Sequence, residues 1–278
     1  MIRRTLVSTF LFGTFLSSQS FASGNTLHVF MSDTAVDLLK SEDLRKLLLS
    51  ERDAYRSGTL FPDALYQSSQ HSRGEFTHWQ GFHNSYLSHI LAKCSKGSLT
   101  QSGDCRKLFA HFMGTVSHTI GDVNFDRYFV TEVAKRHFRG SNGKAQTYTD
   151  FKLEFLATWD WGRGAVFWAN FVPTNELAAA YRKAGIAIPP EEINGSAFKL
   201  YLLIAVAVKL GSPVMYFVAK REAPWAAENY YSARGGVRDS AEKIAQVWDN
   251  FWVALHSGVT TPRFYRKGGW PNFEYGFR

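Results

Sequence analysis

The stretch Arg106-Lys107-Leu108-Phe109-Ala110-His111-Phe112-Met113-Gly114-Thr115-Val116-Ser117-His118-Thr119-Ile120-Gly121-Asp122 decides the fold class. Leu108, Phe109, Phe112, Met113, Val116 and Ile120 recur at helical spacing and form a wide apolar stripe. His118 and Asp122 stand four residues apart, so both side chains leave the same face of that helix. One metal ion can take an imidazole nitrogen and a carboxylate oxygen from consecutive turns in this way. From spacing alone, an ordinary pair on a helix surface is the commoner reading. Here Met113, Val116 and Ile120 surround the pair, and Gly114 and Gly121 leave room for a neighbouring backbone. The pair is therefore expected to point inward, where an unpaired charge is costly.

Outward from this helix the same periodicity recurs, and alternating polarity is scarce. Helices are expected to open at Thr34 to Leu39, to run from Leu44 to Arg56 and from Trp79 to Ala92, and to follow at Thr174 to Ala184 and Ser240 to His256. Pro189-Pro190-Glu191-Glu192 puts proline and acids where a further helix would start. Leu200 to Val208 is strongly apolar, but Lys209, Gly211 and Pro213 interrupt it before it could cross a bilayer, so it is expected to be a buried core helix. Irregular chain is expected beyond Asp122, with a loop at Gly140-Ser141-Asn142-Gly143. No repeat or linker divides the sequence. The expectation is an all-α, single helical domain over residues 23–278, with a basic, aromatic tail from about residue 258.

Residues 1–22 have the layout of a secretory signal peptide: Arg3 and Arg4, an apolar stretch from Leu6 to Leu16, and the small-residue ending Ser20-Phe21-Ala22. The apolar stretch is too short for a transmembrane helix, and the expected location is periplasmic or secreted. Cleavage would remove two arginines and no acid, lowering the net charge from +8 to +6. A basic balance favours anionic partners such as phospholipid head groups, nucleic acid or phosphate esters. Cys94 and Cys105 flank a polar, glycine-containing loop and are expected to pair as a disulfide in an oxidising compartment. Two cysteines alone make a poor metal site. The tail Arg263-Phe264-Tyr265-Arg266-Lys267-Gly268-Gly269-Trp270 admits two readings, contact with an anionic membrane or a strap packed across the bundle.

Other candidate ligands precede the central helix. Asp63 lies in Gly58-Thr59-Leu60-Phe61-Pro62-Asp63-Ala64-Leu65-Tyr66, where it reads equally as a ligand or as a helix N-cap in an apolar turn. His78, between Thr77 and Trp79 at a helix start, is a ligand or a satisfied core histidine. His28 sits in Thr26-Leu27-His28-Val29-Phe30. Histidines 71, 83, 89, 111, 137 and 256 compete for the same role.

The order and context of these pieces resemble the zinc-dependent phospholipase C family, and more closely the N-terminal catalytic domain of glycosylphosphatidylinositol-specific phospholipase D. Leu27-His28-Val29, Gly58 to Tyr66, Thr77-His78-Trp79 and Phe109 to Val123 carry the resemblance. Asp160-Trp161-Gly162-Arg163-Gly164 and Phe171-Val172-Pro173-Thr174-Asn175-Glu176-Leu177 extend it, so that it spans roughly residues 25–255. The resemblance implies a cluster of up to three zinc ions in a mainly helical fold. Asp63, His78, His118 and Asp122 match ligands of the central ion. Asp122 would bridge to a second zinc held by His28 and by the N-terminal amine and carbonyl, groups that Ser23 would supply after cleavage behind Ala22. The third site departs from the family pattern. Asp126 or Tyr128 occupies the first ligand place, Leu156 the next, and Asp160 remains as the acid, while Asp150 and Glu154, four apart, are possible substitutes.

Such a cluster suits a phosphodiester, because zinc lowers the pKa of bound water towards neutrality and neutralises phosphate oxygens. A zinc-bound hydroxide would be the nucleophile, with Asp63 as general base, ligand or both. The expected function is hydrolysis of phospholipids at a membrane surface, with C-type cleavage placed slightly ahead of the D type that the closer resemblance suggests. Two alternatives stand beside it. A single-strand-specific zinc nuclease shares the fold and metals and would need a basic groove with stacking aromatics. A catalytically silent binding protein would follow from the altered third site.

Overall fold

The computed structural model describes residues 24–95, 97–101, 103–161, 171–257, 262–269, 272 and 274–278, with only the backbone described over 207–213. The expected signal peptide and Ser23 lie outside these residues.

The fold is all-α, as its periodicity implies, with one small hairpin among the described residues. Helix α1 spans Asn25–Leu38, starting nine residues before the expected Thr34. The single helix expected over Leu44 to Arg56 is two: α2, Glu42–Ser50, begins on a Ser41 side chain that accepts from the Leu44 amide, and α3, Arg52–Ala64, follows a break at Glu51. Short helix α4 spans Ser72–Thr77, α5 spans Gln80–Lys93 and α6 spans Ser98–Gln101. Central helix α7 is Gly103–Asn124, and every residue from Leu108 to Asp122 in it is buried. A helix covered on all sides can present polar groups only to other protein groups. His118 and Asp122 therefore do point inward.

The irregular chain expected after Asp122 is instead a π-helical turn, Phe125–Val130, that runs directly into α8, Thr131–His137. After positive φ values at Arg139 and Gly140, α9 covers Asn142–Asp160. Helices α10 (Thr174–Lys183), α11 (Pro190–Glu222), α12 (Pro224–Asn229) and α13 (Val237–His256) complete the bundle. Helix α11 corrects the sequence reading: it continues through Gly211 and Pro213, and it is buried on one side only. Leu200, Tyr201 and Ala205 face the core, whereas Leu202, Leu203 and Val206 are exposed.

Two glycines set a close helix crossing in the bundle. A Cβ on Gly58 of α3 would lie 1.9 Å from the His111 carbonyl oxygen, and one on Gly114 of α7 would lie 2.0 Å from that of Tyr55. The backbones of α3 and α7 thus touch, which brings the end of α3 beside His118. Buried hydroxyls fasten a third helix there: Ser32 Oγ on α1 lies 2.8 Å from Ser117 Oγ and 3.2 Å from Thr59 Oγ1.

The periphery is fastened more simply. Cys94 and Cys105 form the expected disulfide, joining the ends of α5 and α7. The described tail is a strap, the second of its two readings. Strands β1, Phe264–Lys267, and β2, Glu274–Phe277, pair antiparallel with Phe264 opposite Phe277. Phe264 packs on Phe112 and Phe251, Asn84 exchanges two hydrogen bonds with its backbone, and the Tyr275 hydroxyl meets His83 Nδ1.

Gly114→Ala is expected to cost about 1–3 kcal/mol, because the added methyl meets rigid backbone in a filled interior. The control Gly97→Ala, whose methyl would meet nothing within 4 Å, is expected to be neutral. Equilibrium urea denaturation of both variants checks this.

Candidate metal centre

Five polar side chains from four parts of the chain converge beneath the surface. His28 comes from the second turn of α1 and Asp63 from the last turn of α3. His78 caps the end of α4, and His118 and Asp122 come from consecutive turns of α7. All five are buried. Asp63 is therefore not a helix N-cap: it lies inside a helix, just after Pro62.

The rings are oriented by the backbone. His118 Nδ1 donates to the Thr59 carbonyl at 2.7 Å, and His78 Nδ1 donates to the Gly74 carbonyl at 2.8 Å. A carbonyl only accepts, so each Nδ1 carries the hydrogen and each Nε2 faces the cluster. Those two Nε2 atoms lie 3.0 Å apart. Two neutral imidazoles with these tautomers would direct lone pairs at one another, a conflict that a proton on one ring or a bound cation relieves. The Thr119 hydroxyl donates to the His78 carbonyl at 2.6 Å and fixes that residue to α7.

Asp122 faces two ways. Its Oδ1 lies 3.1 Å from His28 Nε2, while Oδ2 lies 3.2 Å from His118 Nε2 and 3.7 Å from His78 Nε2. Asp63 Oδ1 lies 3.4 Å from His78 Nε2 and 3.7 Å from His118 Nε2. The His28 ring stacks on His118 with centroids 3.7 Å apart. Two overlapping groups result, His28 with His118 and Asp122, and Asp63 with His78 and His118, and within each the donor atoms lie inside 4.8 Å of one another. Four donors bound at 2.0–2.1 Å around one tetrahedral ion stand roughly 3.3 Å apart, close to the spacings here. Both oxygens of Asp63 are buried with no hydrogen-bond donor among the described residues. Orphaned carboxylate oxygens at this depth and opposed imidazole nitrogens fit a divalent cation.

Electrostatics within the cluster follow from burial and from the two acids. Burial alone would raise the Asp122 carboxyl, but His118 and His28 beside it hold it well below the usual range. Burial depresses His28, and Asp122 more than reverses this, leaving its pKa raised. His78 is likewise disfavoured by burial but driven up to about 9 by Asp63 and Asp122. His118 is lowered by burial and by the neighbouring His28. Without a metal, then, the cluster takes a proton on His78 to balance its carboxylates.

The structure does not bring all the sequence candidates together. Asp160, at the end of α9, accepts hydrogen bonds from Tyr216 and Tyr230, both at 3.1 Å. It lies ten residues, about 15 Å of helix, beyond Asp150, and Leu156 is in the hydrophobic core. Asp150 and Glu154 are the residues of α9 that address the site. Burial, then Asp126, Asp122 and Asp63, push Asp150 well above the usual carboxyl range, so these four acids share one region. Glu154 accepts from the Thr26 amide at 2.8 Å and from its hydroxyl, pinning the start of α1, and burial lifts its pKa to about 7 despite those bonds. The four-residue spacing of Asp150 and Glu154 was the signal for them. Nothing in the sequence signalled the Thr59 and Gly74 carbonyls. Of the competing histidines, His83 lies under the strap, His111 against the Tyr86 hydroxyl at 3.2 Å, His89 with Glu176, and His256 on the Trp252 carbonyl.

A helical bundle built around a buried histidine and carboxylate cluster is the class these features define. The relatives found by comparison are enzymes named phosphatidylinositol-glycan-specific phospholipase D, in agreement with the resemblance read from the motifs. The chain is 26% identical to the Bos taurus enzyme over 285 residues, covering 94% of this chain and 34% of that one. It is 25% identical to the Homo sapiens enzyme, covering 91% of this chain and 32% of that one, and 29% identical to the Rattus norvegicus enzyme, covering 60% and 21%. The chain thus spans about a third of the length of the bovine and human enzymes. No protein-family model matches it, and no solved structure does.

A divalent cation must displace the His78 proton to bind. Metal uptake at pH 7.5 is therefore expected to release about one proton per chain. Titrations in buffers of different ionisation enthalpy measure this directly, and His78→Ala is expected to abolish both the release and most of the uptake.

Proposed function

We propose that this protein is an exported, zinc-dependent phosphodiesterase that hydrolyses phospholipids, with cleavage of the phospholipase D type. The observation that carries the proposal is the two-sided cluster, in which Asp122 turns one oxygen to His28 and the other to His118 and His78. A shared carboxylate between two groups of nitrogen and oxygen donors suits a pair of zinc ions. Similarity to the phosphatidylinositol-glycan-specific phospholipase D enzymes supports a phospholipid as substrate and the D-type bond, in place of the C-type cleavage expected first. The disulfide, with the signal-like residues 1–22, supports export.

When bound, zinc would supply Lewis acidity that eases deprotonation of water and offsets charge on the phosphate. The chain's own residues do the rest. Thr59 and Gly74 hold His118 and His78 in the single tautomer that offers Nε2 inward. Asp63, with carboxylate oxygens that no protein donor occupies, is placed to accept the proton of the attacking water. That oxygen forms a bond to phosphorus, the bond from phosphorus to the head-group oxygen breaks, and the departing alkoxide takes a proton. Phosphatidic acid remains.

Glu154 anchors Thr26, so a chain beginning at Ser23 would place its amine close to the His28 side of the cluster. Protein that retains sequence ahead of Ser23 is expected to hold less zinc than the processed form, by elemental analysis. Equal zinc contents would remove the amine from the ligand set.

Phosphorus NMR of digested phosphatidylinositol, phosphatidylglycerol and phosphatidylcholine tests the reaction itself. Phosphatidic acid is the expected product. A phosphorylated head group would mean C-type cleavage, rapid digestion of single-stranded DNA would mean a nuclease, and zinc-loaded protein inert towards all of them would mean a silent binding protein. Asp63→Asn is expected to lower kcat by roughly 10²–10⁴-fold. If the rate instead falls only in proportion to zinc lost, Asp63 is a ligand and not the base.

A further inference from the structure

Helix α11 carries an uncovered apolar face. Phe198, Val214 and Phe217 are 56%, 69% and 72% exposed, and Leu202, Leu203, Val206 and Val218 are exposed beside them. At 100° per residue these seven positions fall within about 200° of the helix circumference. Ile193, Ala197, Tyr201 and Ala219 occupy the remaining side and are buried. The stripe from Phe198 to Val218 is about 30 Å long. Exposed apolar side chains at both ends of this span, Phe198 to Val206 and Val214 to Val218, mark a contact site.

Charge selects the occupant. Between Phe198 and Arg221 the sequence has Lys199, Lys209, Lys220 and Arg221, and no Asp or Glu. Exposed Lys199 stands near one end of the stripe, and exposed Lys220 and Arg221 close the other, on the same side of the helix. Lys220 Nζ lies 4.6 Å from the centre of the Tyr216 ring, its stem along the helix and its charge at the edge. Apolar side chains flanked by cations match the interface of a bilayer with anionic head groups, into which such a helix sinks parallel to the surface. Among the described residues no helix is long and apolar enough to cross a membrane.

The stripe also connects to the cluster. Trp159, 53% exposed, packs on Tyr216 of α11 with ring centroids 5.5 Å apart. Tyr216 and Tyr230 both donate to Asp160, and neighbouring Trp161 stacks on Phe30 at 4.5 Å. Phe30, in turn stacked on exposed Tyr231, is two residues from His28 on α1. An aromatic path thus leads from the lipid-facing stripe to the metal-binding end of α1.

We infer that the exposed face of α11 is a membrane-docking surface that seats the protein on anionic phospholipid bilayers. The choice of lipid as occupant rests in part on the proposed phospholipid hydrolysis, and binding is therefore tested apart from catalysis. Processed, zinc-loaded protein is sedimented with vesicles of phosphatidylcholine alone and of phosphatidylcholine with phosphatidylglycerol. Preferential binding to the anionic vesicles, weakened by salt, is expected. Phe198→Ser with Phe217→Ser, and separately Lys199→Glu with Lys220→Glu, are expected to reduce that binding at least tenfold. Their rates on a short-chain phospholipid below its micellar concentration should stay unchanged. Variants that sediment with vesicles like the parent protein would overturn the inference. So would a dimer in sedimentation velocity that the two serine substitutions dissolve, since the face would then join two copies of the chain. A parent protein that binds vesicles but cleaves no phospholipid would sink the proposed activity and leave the docking surface standing.

Discussion

A carboxylate held in a dry interior is the constraint around which this bundle is organised. Asp122 is buried in the central helix, and three imidazole nitrogens within 3.7 Å offset its charge. Each imidazole must itself be oriented, because a ring turned the wrong way would offer the wrong tautomer. Thr59 and Gly74 do this for His118 and His78 with backbone carbonyls, which mutation of a side chain cannot remove. The Thr59 carbonyl reaches His118 because α3 crosses α7 at touching distance, a crossing that Gly58 and Gly114 permit by lacking side chains. The chemistry of one acid thus reaches back, through hydrogen bonds and helix spacing, to two glycines far from it in sequence.

Much of this was legible in the sequence, for identifiable reasons. His118 and Asp122 announced themselves because a four-residue spacing on an apolar helix has a definite geometric meaning. His28, Asp63 and His78 came only from the resemblance, since residue type and local context left each ambiguous. Asp63 in particular was placed in an apolar turn, yet the structure keeps it and Pro62 within α3. Helix α11 failed for a different reason. A run such as Leu202-Leu203-Ile204-Ala205-Val206 has no polar face from which to read burial, and a helix that binds something outside the protein looks from sequence like one that binds the core.

The acids of α9 and the π-helical turn show where family pattern and local physics diverge. Leu156 and Asp160 aligned with the expected third site, but the former fills the core and the latter holds two tyrosine hydroxyls. Asp150 sits among Asp126, Asp122 and Asp63, and its strongly raised pKa expresses first its burial and then the repulsion of those neighbouring acids. Such a group remains neutral unless a cation joins it. The extra residue of a π-helical turn alters the angle at which the chain leaves α7, and Asp126 lies in that turn.

Regiochemistry and membrane docking are linked by the same geometry. In-line displacement requires the leaving oxygen to stand opposite the attacking water, so the orientation of the lipid over the cluster selects the bond. With the aromatic path through Tyr216, Trp161 and Phe30 on the acyl-chain side, diacylglycerol would be fixed on one side of the phosphate. The head group must then lie on the other side. Attack from the lipid side expels the head-group alcohol and leaves phosphatidic acid in the bilayer, whereas attack from the head-group side expels diacylglycerol. Asp63 and the His28 side of the cluster stand at opposite ends of the bridge made by Asp122 and His118. On its proposed role as acceptor of the water's proton, Asp63 would also mark the face of attack, and lipid orientation relative to it would be the variable that separates the two reactions.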